Sequence, residues 1–230
     1  MASDDRETLK SLYPFLHGRK QVPAAMNAAL LEAVEEKVGR HRDVVSAFFA
    51  TNSQAVIDAA GAIARVYRGG GRLFTMGNGG SSCDAAHVAV EFQHPVTAGR
   101  PALTAIDLSA DRTMLTAVAN DVGFDHIFVR QIIAQGHSGD GLIGLSTSGN
   151  SKNLVKAFVK AREIGLTTIG LAGMTGGAMS TIGLDHCLVV DSDSIHRIQE
   201  CHVAIYHILW DLVHSLLADD RGSLSASSHG

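Results

Sequence analysis

Cysteine is scarce in this chain of 230 residues: Cys83, Cys187 and Cys201 are odd in number, widely spaced and form no CxxC pair. A disulfide framework and a cysteine-based zinc knot are therefore not suggested. An excess of one charge is lacking too. The 19 Lys and Arg against 23 Asp and Glu leave a formal net charge of −4, which argues against a general nucleic-acid or membrane-surface role. No apolar run approaches the ~20 residues that a membrane helix needs. The opening MASDDRETLK is acidic and polar and does not read as a signal peptide. The expectation is a soluble, cytoplasmic protein.

Apolar residues, by contrast, are plentiful, at 46% of the chain, enough for one large domain with a buried core. Residues 1–22 carry little pattern and read as an N-terminal arm. The stretch 23–219 reads as a single domain, and the small polar tail 220–230 as disordered. From Pro23, AAMNAALLEAVEEKVGRHRDVVSAFFA has helical periodicity, and SQAVIDAAGAIARVYRGGG predicts a second helix ended by Gly69–Gly71. Both are apolar over broad faces, which suits core packing or helix contacts between subunits. Beyond them, RLFTMG, ALTAIDL, GLIGLS, TTIGLAG and HCLVVD read as strands. SSCDAAHVAVEF, FDHIFVRQIIAQ and NLVKAFVKAREIG read as the helices between them, and SIHRIQECHVAIYHILWDLVHSLLA as a long final helix. Short apolar strands alternating with helices predict an α/β fold with a parallel sheet covered on both faces.

Two Gly/Ser turns stand out: GNGGSS at 77–82 and STSGNS at 146–151, each between a strand and a helix. In such sheets ligands lie beyond the carboxyl ends of the strands. Glycine lets backbone N–H groups approach an anion, hydroxyls add donors, and a helix N-terminus adds partial positive charge. Ser146, Thr147, Ser148 and Ser151 suit a phosphate monoester. The bland alternative is that Ser, Thr, Asn and Gly are simply good turn and cap formers; two such turns at equivalent strand ends favour phosphate. A dinucleotide site has less support. Ser82 stands where its third glycine should be, and although Asp107 could serve as the ribose acid, that reading leaves STSGNS unexplained.

His87 and Glu91, spaced i, i+4, share a helix face about one turn below the first Gly/Ser turn. Gln199 and His207 on the final helix lie eight residues apart, roughly 80° around a helix, and can point into one cleft. His126, His186, His196 and His214 read as ordinary surface or core histidines. The His87/Glu91/His207 set fits a divalent metal such as zinc, with a position left open for substrate. Alternatively Glu91 and His207 form a base/acid pair without a metal.

GNGGSSCDAAHVAVEF, ANDVGF, LSTSGNSKN and RIQECHVAIYHIL together resemble the SIS (sugar isomerase) superfamily and, within it, the phosphoheptose isomerases, over roughly residues 30–217. The resemblance implies a three-layer αβα sandwich with a five-stranded parallel sheet, flavodoxin-like, with N-terminal helices packing at subunit interfaces of a homotetramer. It implies an aldose–ketose isomerase converting sedoheptulose 7-phosphate to D-glycero-D-manno-heptose 7-phosphate. Asn78, Gly79, Gly80 and Ser81 resemble the first substrate loop, Asn120 and Asp121 the ND pair at the cleft, and Ser146, Thr147, Ser148 and Ser151 the phosphate loop. His87, Glu91, Gln199 and His207 match the family's zinc ligands, Glu91 and Gln199 also its substrate contacts, and Glu91 and His207 its proposed base and acid. A carboxylate bound tightly to zinc is a poor base, so Glu91 needs a weak or intermittent hold on the metal. The segment QHPVTAGRP departs from the family's usual stretch. The implied partners are the phosphorylated sugar and further copies of the chain, not nucleic acid or membrane. A catalytically silent module, binding a sugar phosphate or a replication or regulatory protein, is the rival reading; it has no need of four polar groups converging in a cleft.

Overall fold

A computed structural model describes residues 23–218; the expected arm 1–22 and tail 220–230 lie outside them. The chain opens with α1 (Pro23–Arg68), Pro23 occupying the first helical position that its fixed φ favours. The two helices predicted here are one. The polar stretch Thr51–Asn52–Ser53 looks like a break, but Asn52 Nδ2 donates to the Phe48 carbonyl at 2.9 Å and Ser53 Oγ to that of Phe49 at 2.6 Å. These side chains fold back on the preceding turn instead of capping a new helix.

The elements that follow are β1 (Leu73–Gly77), α2 (Gly80–Gln93), β2 (Ala105–Asp107), α3 (Arg112–Asp121), α4 (Val129–Gln135), β3 (Gly141–Ser146), α5 (Lys152–Ile164), β4 (Thr167–Gly173), β5 (His186–Val190) and α6 (Ile195–Leu216). Single 3₁₀ turns cover Phe124–His126 and Gly177–Ser180. The stretch FDHIFVRQIIAQ, expected as one helix, splits into the 3₁₀ turn and the short α4, and α3 stands where the sequence pattern predicts no helix. Val118 is the one buried side chain of α3, so its apolar face is too thin to register as a period.

All five strands are parallel, in the order β2-β1-β3-β4-β5. Strands β1 and β3 run side by side from Leu73↔Gly141 to Gly77↔Leu145. The chain passes from β1 outward to β2 and then returns to β3 on the other side, so the order switches between β1 and β3. The crevice at their carboxyl ends is where a ligand enters such a sheet.

The compact body runs from His41 onward; the preceding part of α1, up to Arg40, is a separate unit. Each face of the sheet has its own core. One, centred on Ile63, Phe92, Ile143, Leu171, Ile205 and Leu209, lies under α1, α2 and α6. The other, centred on Phe74, Met76, Phe128, Leu142 and Phe158, lies under α3, α4 and α5. In the N-terminal unit, Leu30, Leu31, Val34 and Val38 are 57–62% exposed.

Candidate active site

Both Gly/Ser turns lie at the switch-point crevice. After β1, Ser81 and Ser82 N–H donate to Asn78 and Gly79 carbonyls at 3.0 Å. This turn rolls directly into α2, and no side chain caps the helix at Gly79. Gly80 leaves room for Gln199: a Cβ there would lie 2.4 Å from Nε2 of that side chain, which reaches over from α6 and would have to shift. After β3, Ser146 and Ser151 share a hydroxyl hydrogen bond of 3.0 Å, and Asn150 N–H donates to Ser148 Oγ at 3.2 Å. Gly149 has φ +64°, and a Cβ on it would sit 1.9 Å from the Gly176 carbonyl oxygen, so the turn is wedged against the loop following β4. Asn150 completes that wedge by accepting from Ala178 N–H at 2.9 Å. Ser151 begins α5 without capping it, so the helix presents its first N–H groups and its positive end to the turn.

The turns are joined by a residue that sequence reading missed. Asn78 and Asn153 exchange reciprocal amide hydrogen bonds, both 2.9 Å, and Asn153 is 2% exposed. The partners are 75 residues apart, so no spacing signal announces them.

Deeper along α2, His87 Nε2 lies 3.2 Å from Glu91 Oε1, as the i, i+4 spacing predicts. From α6, the His207 ring comes to 5.0 Å from that of His87, centroid to centroid. One ligand atom each from His87, Glu91 and His207 fall within 4.8 Å of one another. His207 Nδ1 donates to the Val203 carbonyl at 2.9 Å. A carbonyl only accepts, so Nε2 keeps its lone pair. Two imidazoles and a carboxylate at this separation need only a small closure to ligate one divalent ion. Gln199 packs its amide against Gly80, two turns along α6 from His207 and on the substrate-turn side of the cleft.

The surroundings are stiff on one side. Trp210 Nε1 donates to the Glu91 carbonyl at 2.8 Å, and the Arg100 guanidinium stacks over the Trp210 ring at 4.3 Å while pairing with Asp211. The unusual QHPVTAGRP segment thus reaches the site from behind, through Arg100 and Trp210. Tyr206, 3% exposed, places its hydroxyl 2.8 Å from His87 Nδ1; burial first, then Asp84 and Glu91, push its phenol up. Burial also pushes the Asp84 carboxyl up, with His87 partly offsetting it.

Other expected residues stand apart. Asn120 and Asp121 hydrogen-bond each other at 2.8 Å at the exposed end of α3. Asp121 there lines a separate groove of about 450 Å³ with Met114, Val118 and Arg130. Asp107 turns back to accept from Ser109 N–H at 2.8 Å, a local cap that gives no support to a ribose site. His214 is buried between Phe92 and Trp210, in keeping with its ordinary core reading.

The SIS domain family matches residues 38–173, which hold both turns and the α2 pair. The chain is 46% identical to a phosphoheptose isomerase of Chlorobaculum tepidum over 171 residues, covering 74% of this chain and 82% of that protein. It is 38% identical to that of Aquifex aeolicus over 190 residues, covering 83% and 99%. The chain belongs to the phosphoheptose isomerase family of SIS-domain proteins. The fold agrees with solved phosphoheptose isomerases. One from Francisella tularensis superposes with a TM-score of 0.78 at 32% identity, over 80% of this chain and 98% of that one. One from Neisseria gonorrhoeae gives 0.76 at 34%, over 81% and 99%. This phosphoheptose isomerase relative therefore has the α/β fold expected of it.

Proposed function

We propose that this chain is an aldose–ketose isomerase that interconverts sedoheptulose 7-phosphate and D-glycero-D-manno-heptose 7-phosphate. The observation that carries the reading is the meeting of His87, Glu91 and His207 beside two hydroxyl-rich turns in a member of this family. Ser146, Thr147, Ser148 and Ser151 hold the phosphate, aided by the positive end of α5. Asn78, Gly79, Gly80, Ser81 and Gln199 border the sugar; Asn120 and Asp121 are assigned to it by resemblance. Glu91 Oε1 is engaged with His87, leaving Oε2 to take the proton from the carbon beside the carbonyl. His207, its Nδ1–H fixed on Val203, has the Nε2 lone pair to take the proton of the hydroxyl beside the carbonyl and pass it to the carbonyl oxygen. Moving the proton between adjacent carbons through an enediol completes the isomerisation.

The donor set fits a divalent ion of zinc type, with His87, Glu91 and His207 as ligands and Gln199 the fourth. When bound, such an ion polarises a carbonyl and steadies an enediolate. We further propose a cytoplasmic homotetramer. The exposed apolar stripe Leu30, Leu31, Val34 and Val38 supports assembly, and among the described residues no helix is long and apolar enough to cross a membrane. A coupled assay with sedoheptulose 7-phosphate, with and without chelator, tests the activity. Turnover that the chelator abolishes and zinc restores is expected; binding without turnover would replace the enzyme by the silent module. Elemental analysis should give about one divalent ion per chain, and light scattering four chains per particle.

A further inference from the structure

We propose that Tyr206 is a positioning residue for His87, its hydroxyl changing between donor and acceptor so that the imidazole can turn Nε2 from a proton donor into a metal ligand. The proposal rests on the metal-site reading above. His87 is held on both ring nitrogens: Tyr206 Oη is 2.8 Å from Nδ1, and Glu91 Oε1 is 3.2 Å from Nε2. A neutral imidazole carries one N–H, and a carboxylate only accepts. Without a cation, then, Nε2 carries the hydrogen and donates to Glu91, while Nδ1 accepts from the Tyr206 hydroxyl. For Nε2 to offer its lone pair to a cation, one proton leaves Nε2 for solvent and one arrives at Nδ1, the ring remaining neutral. Nδ1–H then donates to the same phenolic oxygen.

A hydroxyl serves both states; a backbone carbonyl serves only one. That is the contrast with His207, whose Nδ1 faces the Val203 carbonyl and which is preset as a ligand. Tyr206 is held for the task. It is 3% exposed, with its ring 5.3 Å from His87 and 4.8 Å from His207 between centroids. Outer partners of this kind fix the tautomer of metal-binding histidines and typically carry 10–100-fold in affinity.

The full chain labelled with ¹⁵N-histidine, followed by two-bond ¹H–¹⁵N NMR with and without one equivalent of zinc, reads the tautomer directly. His87 Nδ1 should be unprotonated without zinc and protonated with it, whereas His207 Nδ1 should be protonated in both. In a competition titration Tyr206→Phe should bind zinc roughly 10–100-fold more weakly, with the metal-free thermal midpoint little changed. An Nδ1 in the same state with and without zinc overturns the proposal, as does wild-type zinc affinity in Tyr206→Phe. If that variant does not fold, the wild-type spectra decide alone. A wild-type protein that binds no zinc overturns the metal reading itself, and this proposal with it.

Discussion

The turn after β3 and the cluster between α2 and α6 are built in opposite ways. The turn is local and backbone-heavy: hydroxyls, a left-handed glycine and a free helix end lie within six residues, 146–151, wedged against the loop after β4. The preference for an anion proposed for it is a property of the segment. The cluster is non-local and made of side chains. His87 and Glu91 come from one helix, His207 and Tyr206 from another about 119 residues away, and neither helix has a site alone. On the proposed reading, binding is assembled from contiguous sequence, whereas proton transfer depends on the packing of two helices across one face of the sheet.

If that division holds, lesions on the two sides should separate. The largest effect belongs to the cluster. Glu91→Gln should lower turnover by about 10²–10⁴-fold, the usual worth of a general base, while substrate still binds. The check is solvent-deuterium exchange at the substrate carbon alongside calorimetric binding, with metal content measured in the same samples. Wild-type turnover with metal retained would break the comparison. Next comes the turn. Ser148→Ala removes a hydroxyl assigned to a charged group, worth ~1.5–3 kcal/mol. KM should rise roughly tenfold to a hundredfold with kcat nearly kept; an unchanged KM would mean that the turn does not hold the phosphate.

Asn153→Ala strikes the seam between the two turns and should move both parameters. It leaves the Asn78 amide unpaired, a cost of about 1–3 kcal/mol, visible as a lower thermal midpoint and a several-fold loss of kcat/KM. The smallest effect at neutral pH concerns His202, which ties α6 to the end of β4 by donating from Nε2 to the Ala172 carbonyl at 3.1 Å. Burial lowers its pKa from 6.5 to about 4. The unfolded chain therefore binds more protons than the folded one between those values, and stability falls as pH drops through that window. At pH 7 His202→Gln should cost little, but it should flatten the loss of stability between pH 6.5 and 4, as denaturant titrations at several pH values would show.

The sequence carried the turns well, because their chemistry is contiguous, and it carried the His87/Glu91 pair because i, i+4 is a helical period. The strand–helix alternation predicted the parallel sheet for the same reason. It did not carry Tyr206, Asn153 or the Arg100–Trp210 stack, since each gains its meaning from a residue 75 or more positions away. Nor did it distinguish the two halves of α1. Leu30, Leu31, Val34 and Val38 have the same apolar period as Val56, Ala59, Ala60 and Ile63, yet the first set is exposed and the second is buried. Periodicity reports that a face is apolar, not what covers it.

The reciprocal amide pair also bears on chemical ageing. Asn78 precedes Gly79, the pairing in which a side-chain amide is most open to attack by the next backbone nitrogen, ending in loss of ammonia and an aspartate or isoaspartate. Here both ends of the Asn78 amide are committed to Asn153 at 2.9 Å, which holds the carbonyl carbon away from the rotation that ring closure needs. An aspartate at 78 would lose its donor to Asn153 and place a negative charge beside the turn proposed to hold the phosphate. The bond that joins the two turns thus also sets how long the protein keeps its substrate site intact on storage, and peptide mapping of aged samples should find Asn78 deamidating faster once Asn153 is replaced.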